Sequence, residues 1–252
     1  MPTIVISGAG SGIGNTFVEH YGKDSANTIH ALDRVWYEEV KDSDNAAKLH
    51  RHTVDTSSES SIEEFKSTIG DTAVDLFIHS AAVRGLNPDI TNKDPLPANA
   101  ETLEVIVPDI FREALLSNVL GSFMLIRTLL PNLKASKEKP KCIVMTSGMG
   151  SIANNSGGAY AYGSSKAALN YVVKSFTNDV PEVMFASIHP GKVDTRMTHV
   201  REEGAIDPEE AVDLMLPIIE KLTSGQSGMS RLCRDLHGEE LHAKGVVDSS
   251  SS

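Results

Sequence analysis

Short apolar runs recur along the chain, each closed by small or polar residues and followed by a stretch whose hydrophobic positions have helical spacing. Residues 3–7 (TIVIS) are the first such run; glycines at 8, 10, 12 and 14 follow, then a helical pattern through Tyr21. Residues 27–32 predict a second strand ending at Asp33, and 49–54 a third ending at Asp55. Between them, 38–48 reads as a charged surface helix. Residues 60–69 predict a helix with Ile62, Phe65 and Ile69 on one face, and 74–78 a fourth strand closed by His79, Ser80, Ala81 and Ala82. The segment 84–100, rich in Pro, Asn and Asp, reads as a loop crossing the sheet edge. A long helix is expected from Pro108 to Leu130, stopped by Pro131. A fifth strand over 141–146, a helix from Ala159 and a sixth strand over 182–188 follow. A helix over 208–222 with proline in its first turn and a last strand at 228–233 complete the series. This rhythm predicts the α/β class: one doubly wound parallel sheet of about seven strands, helices on both faces, and ligands outside the carboxyl ends of the strands. Without repeats or linker-like shifts, a single domain is expected over 1–246, with a disordered polar tail over 247–252.

Composition narrows the partners. Of 252 residues, 40% are apolar and 23% charged, as in ordinary soluble globular proteins. With 34 acidic against 23 basic side chains the net charge is -11 and no basic stripe offsets it, so neither nucleic acid nor anionic lipid is expected as a partner. Cys142 and Cys233 are far apart and show no metal-type spacing, which predicts no metal and reduced thiols in the cytoplasm. The first residues lack the basic and apolar regions of a signal peptide. The longest apolar candidate, 119–130, carries Arg127 and falls short of the ~20 residues a membrane span needs.

Candidate chemistry concentrates in 147–166, SGMGSIANNSGGAYAYGSSK. On a helix Tyr162 and Lys166 share a face one turn apart, and a nearby ammonium favours phenolate, lowering the tyrosine from its ordinary ~10 toward proton exchange at neutral pH. Ser147, at the end of the fifth strand, could hold the same substrate oxygen as the phenol. Taken alone, Tyr-x-x-x-Lys also fits an ordinary helix. In SGAGSGIG, glycines after a strand let backbone N–H groups approach a pyrophosphate at a helix N-terminus. The spacing is Gly-x-x-x-Gly-x-Gly at Gly8, Gly12 and Gly14, since Ile13 stands where G-x-G-x-x-G would need its last glycine. Asp33 lies where an acidic residue meets the adenosine ribose, which favours NAD over NADP, although Arg34 beside it could pair with a 2'-phosphate. Asp55 is an adenine contact or a strand-end cap. Asn118, among apolar neighbours, is either a structural hydrogen bonder or part of a polar relay. Residues 192–207 after the His189-Pro190-Gly191 turn have few apolar anchors and read as a mobile lid.

Together these motifs resemble the short-chain dehydrogenase/reductase family over essentially the whole chain, and within it the small carbonyl reductases similar to bacterial C-factor and insect sniffer. The resemblance is carried by Gly8, Gly12, Ile13 and Gly14; by Asn118 and Gly121; by Ser147, Tyr162 and Lys166; and by Pro190, Gly191, Val193 and Thr195. The subgroup likeness rests on 150–170, on HPGKVDTRM and on the ending HGEELHA. It implies a Rossmann-type fold and an NAD(P)-dependent oxidoreductase interconverting a carbonyl and a secondary alcohol, with NAD as cofactor and NADP as the alternative. A small-molecule carbonyl or alcohol substrate and a homodimer or homotetramer are expected. Tyr162 would be the general acid or base, Lys166 would lower its pKa and bind the nicotinamide ribose, and Ser147 would bond the substrate oxygen. Asn118 would hold a water linking Lys166 to solvent. Ser7, Ser80 and Ala81 would also line the cofactor, with Pro190, Gly191, Val193 and Thr195 at its nicotinamide and phosphate end. Six positions depart from the pattern. His79-Ser80-Ala81-Ala82 stands where the family has Asn-Asn-Ala-Gly, Ser7 replaces threonine, and Ala159 and Gly163 stand where the subgroup has Trp and Arg. Other readings are a family fold recruited to a non-redox step such as cyclisation, and a dinucleotide-sensing regulator.

Overall fold

The computed structural model describes residues 1–37, 46–223, 227 and 230–232. Strands β1 (Thr3–Ser7), β2 (Thr28–Asp33), β3 (Lys48–Thr53), β4 (Leu76–His79), β5 (Lys141–Met145), β6 (Met184–His189) and β7 (Ser230–Leu232) form one sheet in the order β3-β2-β1-β4-β5-β6-β7. Every pairing is parallel. Helices α1 (Gly12–Gly22), α2 (Glu59–Ile69), α3 (Pro88–Thr91), α4 (Pro108–Leu115), α5 (Ser122–Lys134), α6 (Tyr160–Asp179) and α7 (Pro208–Glu220) connect them.

The central strands are apolar on both faces because both are covered. Strand alternation sorts their side chains: Ile4 and Ile6 join Phe17, Val212 and Met215 in the layer under α1 and α7, while Val5 joins Phe65, Phe77, Leu125 and Phe176 on the other side. The strand order reverses between β1 and β4, whose ends meet at the pair Ser7 and His79. A crevice opens outside that point, as such a reversal dictates.

Several boundaries differ from expectation for physical reasons. The helix expected to stop at Pro131 runs on to Lys134. The proline is on the exposed side and removes a single backbone bond, whereas Leu133 beyond it is buried and the Asn132 amide donates to the carbonyls of Gly70 and Thr72. That helix is also not uniform, because a π-helical stretch, Leu116–Gly121, separates α4 from α5. The whole run Pro108–Lys134 is 27 residues and is long and apolar enough to cross a membrane by length and composition, more than the 119–130 segment suggested. Leu125, Ile126, Leu129 and Leu133 are buried in the core, which accounts for its apolar character. The segment 84–100 is not all loop. It leaves β4, a central strand, and contains α3 and a 3-10 turn, Pro97–Asn99. The fourth strand begins at Leu76 because the Asp75 carboxylate accepts from the Thr3 N–H, and the Val74 N–H is turned to the Asn132 carbonyl. Of the charged helix expected over 38–48, residues 38–45 lie outside the described residues, and Lys48 opens β3. Cys233, the HGEELHA ending and the 247–252 tail also lie outside them.

Candidate active site

At the end of β1 the chain turns through Gly8, whose φ is +70°. A Cβ there would lie 2.7 Å from the Ala81 nitrogen, so only glycine lets the turn pass so close to the segment after β4. α1 then starts at Gly12 after Ser11, whose side chain makes no capping bond, so the first-turn N–H groups stay available to an anion. A Cβ on Gly14 would fall 2.0 Å from the Gly8 oxygen. Gly14 therefore packs the turn against the helix and does not line the crevice.

Asp33 closes the same turn from β2. One carboxylate oxygen accepts from the Gly10 N–H at 2.8 Å and the other from the Val35 N–H at 3.1 Å. Asp55 accepts from both the hydroxyl and the N–H of Ser57 at 2.6 and 2.8 Å. The Ser57 hydroxyl chiefly holds its carboxyl below the usual range against the opposing effect of burial, with Arg34 also contributing.

The departure at His79 is resolved by a buried hydrogen-bonded chain. Its Nδ1 lies 2.7 Å from the Ser7 hydroxyl and its Nε2 2.7 Å from that of Ser122, which donates to the Asn118 carbonyl at 2.8 Å. Since the Ser122 proton is spent on Asn118, Nε2 carries hydrogen and Nδ1 accepts from Ser7. Burial, aided by the Lys166 charge, pushes this imidazole down to about 3, so it is neutral. Asn118 itself is fully buried and off the crevice. Its amide accepts from the Val83 N–H and donates to the Val83 carbonyl, both at 2.8 Å, and reaches the Ser165 hydroxyl at 3.0 Å. It thereby pins the segment after β4 to α6.

Ser147, Tyr162 and Lys166 converge from β5 and α6. Ser147 and Tyr162 border the same space, and the Ser147 hydroxyl favours the phenolate form of Tyr162. Lys166 is 2% exposed, its Nζ donates to the Met145 carbonyl at 2.9 Å, and it sits 5.5 Å from the centre of the Tyr162 ring. Burial alone brings this ammonium down to about 8. The expected lowering of the phenol by Lys166 is not what the geometry produces. Burial dominates and raises Tyr162, opposed chiefly by Arg84 and also by Ser147, with Glu101 adding to the rise. Neither Arg84 nor Glu101 was singled out by spacing. Their only sequence signal is a pair of opposite charges within a polar loop.

These residues line one cleft of about 460 Å³ outside the carboxyl ends of the strands. Every residue expected at the cofactor borders it except Gly14, and Ser147, Tyr162 and Lys166 border it while Asn118 does not. Segment 192–207 forms its outer wall, with Thr195 over the start of α1: a Cβ on Gly12 would be 3.1 Å from the Thr195 methyl. The base of that segment is tied down by a bridge between Val193 and Ile206, and Arg201 donates to Asp194, Asp207 and the Ala205 carbonyl. It is therefore better anchored than its sparse apolar content suggested.

The profile of the short chain dehydrogenase family matches residues 2–205. The chain belongs to that family. Short-chain dehydrogenase/reductase iacC of Pestalotiopsis fici is 30% identical over 229 residues, covering 85% of this chain and 80% of that protein. Solved structures share the fold, among them two carbonyl reductases. The NADPH-bound carbonyl reductase from chicken fatty liver has a TM-score of 0.75 at 22% identity, covering 92% of this chain and 96% of its own. Carbonyl reductase Sniffer of D. melanogaster has a TM-score of 0.75 at 23% identity, with the same coverages of 92% and 96%. The resemblance to the sniffer-type members of the family thus holds at the level of the fold.

Proposed function

We propose that this short-chain dehydrogenase family member is an NAD(P)-dependent oxidoreductase that interconverts a carbonyl and a secondary alcohol. The observation that carries the reading is the shared cleft: Ser147 and Tyr162, with buried Lys166 beside them, and the glycine turn at the uncapped start of α1 border the same space. The turn fits a pyrophosphate, for the reasons of donor availability and close approach given above. Asp33 and Asp55 border the cleft beyond the turn. A bound nicotinamide would supply or accept the hydride. The chain supplies the rest. Ser147 orients the substrate oxygen and Tyr162 transfers its proton to that oxygen in reduction or takes it back in oxidation. Lys166, fixed by the Met145 carbonyl, presents a cation to the nicotinamide ribose.

NAD is the preferred cofactor in this reading, because Asp33 places a carboxylate at the ribose end and repels a 2'-phosphate. The NADPH carried by the chicken reductase, together with Arg34 beside Asp33, keeps NADP as the alternative. Both reduced cofactors are to be tested against a panel of aldehydes, ketones and diketones, following the nicotinamide absorbance. Oxidation of NADH by at least one carbonyl compound supports the reading, and no turnover with either cofactor across the panel, in either direction, rejects it.

A further inference from the structure

Arg84 leaves the carboxyl end of β4 and turns back beside the phenol. Its side chain is 12% exposed and that of Glu101 6% exposed. Nε and Nη2 of Arg84 donate to the two carboxylate oxygens of Glu101 at 2.8 and 2.7 Å, a forked pair. The guanidinium carbon lies 4.9 Å from the centre of the Tyr162 ring, nearer than the Lys166 nitrogen at 5.5 Å. Buried ion pairs add little net stability, because desolvation offsets their attraction. The placement of this one, with the cation against the aromatic face and the anion behind it, is what calls for an account.

We infer that Arg84, held in place by Glu101, is a positioning residue that acts through Tyr162, its charge stabilising the phenolate left when the phenol gives up its proton. The inference rests on the proposed role of Tyr162 as proton donor. The groups bordering the phenol's surroundings are Lys166 on its own helix, Arg84 and Glu101 after β4, Ser147 after β5, His189 at the end of β6 and Glu202 in the wall beyond. Burial holds His189 down to about 4, so it is uncharged near neutrality. Burial brings Lys166 down to about 8, and its ammonium spends a hydrogen on the Met145 carbonyl. Arg84 is the cation of the set that stays charged throughout, and Glu202 adds to the hold on that charge. Glu101 works in the opposite sense on the phenol, so the pair sets a compromise between a fixed cation and a fully exposed positive field.

Two readouts test this. Titration of Tyr162 at the tyrosinate absorbance, taken as the difference between the wild type and Tyr162→Phe, needs no turnover; the pH profile of kcat/KM needs a substrate. An opposite charge at this distance shifts a pKa by about one unit or more, so Arg84→Met is expected to raise the midpoint by about one pH unit, with about tenfold less phenolate at a given pH. Glu101→Gln is expected to lower it, and Arg84→Lys to restore most of the Arg84→Met shift. Arg84→Met leaves Glu101 buried and unpaired. If it does not fold, the double variant Arg84→Met/Glu101→Met, which buries no charge, is expected to shift in the same direction. Midpoints equal to wild type in the folded variants overturn the inference even if the chain reduces carbonyl compounds. A shifted midpoint in a chain that turns over nothing rejects the oxidoreductase reading and leaves the Arg84–Tyr162 coupling standing.

Discussion

At the residue scale, the phenol is the group whose loss is most specific. Tyr162→Phe deletes the proton donor and leaves the glycine turn and Asp33 intact. Proton transfer by a positioned side chain contributes ~100- to 10,000-fold, so turnover should fall by that factor while dinucleotide affinity, measured by calorimetry, stays within a few fold. A loss of turnover below tenfold rejects the role. Asp33 carries a second prediction with a structural complication. Its carboxylate also accepts the Gly10 and Val35 N–H groups, so Asp33→Ala loosens the turn as well as the ribose contact. Affinity for both cofactors should fall, NAD by roughly ten- to hundredfold from a lost charge-assisted bond of about 1.5 to 3 kcal/mol, and the preference should move toward NADP. An unchanged ratio of the two dissociation constants would show that Asp33 serves the turn alone.

At the scale of elements, the wall over 192–207 divides into an anchored base and a freer crest. The amides of Asp194 and Ile206 donate to the Ile206 and Lys192 carbonyls, whereas the residues between them are held by Arg201, by the Thr198 hydroxyl on the Thr195 and Val200 carbonyls, by Lys192 on the Glu203 carbonyl, and by turns at His199 and Gly204 with positive φ. Hydrogen exchange should therefore find Asp194 and Ile206 protected with and without NAD, and 199–204 protected only when NAD is bound. Arg201→Ala should raise exchange across the crest and leave Tm nearly unchanged, since exposed ion pairs add little to global stability. Strong, equal protection of 199–204 in both states would make the segment a rigid wall. The π-helical stretch Leu116–Gly121 belongs to this scale too, because its wider turn is where Asn118 gives its carbonyl to Ser122 and its amide to Val83.

Across the whole molecule, buried neutral imidazoles couple the fold to pH. His79 is pushed to about 3, His30 to about 4 and His189 to about 4, all from an ordinary 6.5, and His52 is lowered as well; burial is the first cause in each. His30 and His52 sit on β2 and β3 with ring nitrogens 3.0 Å apart, and His50 stacks beside them, so like-charge repulsion adds to burial there. The unfolded chain takes up protons near 6.5, while the folded chain resists them until about 4 or below. The contribution of these groups is thus fully present above 6.5 and is lost as pH falls through that window. Tm should decline steadily from neutrality toward pH 4, more steeply than carboxylates alone would give, and His79→Asn should flatten part of the decline. A Tm constant between pH 7 and 4.5 would contradict these shifts.

How much of this was legible in the chain depends on the distance over which the cause acts. The βα alternation, the glycine turn and the 147–166 spacing are local, and the structure gathers them in one cleft. The continuation of the helix past Pro131 depends on where Asn132 lands, 60 residues or more from its partners, and no local pattern carries that. The Arg84–Glu101 fork joins residues 17 apart inside a loop that composition marks only as polar. Nothing local accounts for His79 in place of the family's Asn, because its partners, Ser7 and Ser122, lie 72 and 43 residues away.

That chain from Ser7 through His79 and Ser122 to Asn118 also bears on how such a protein can change over generations. Each hydrogen bond in it runs one way, and each interior member satisfies a neighbour that has no water to fall back on. Loss of the imidazole leaves the Ser7 hydroxyl without its buried acceptor while Ser122 keeps its bond to the Asn118 carbonyl, so a replacement at 79 has to offer Ser7 an acceptor. What position 79 must conserve is therefore polarity and not identity, a demand set by a serine 72 residues away.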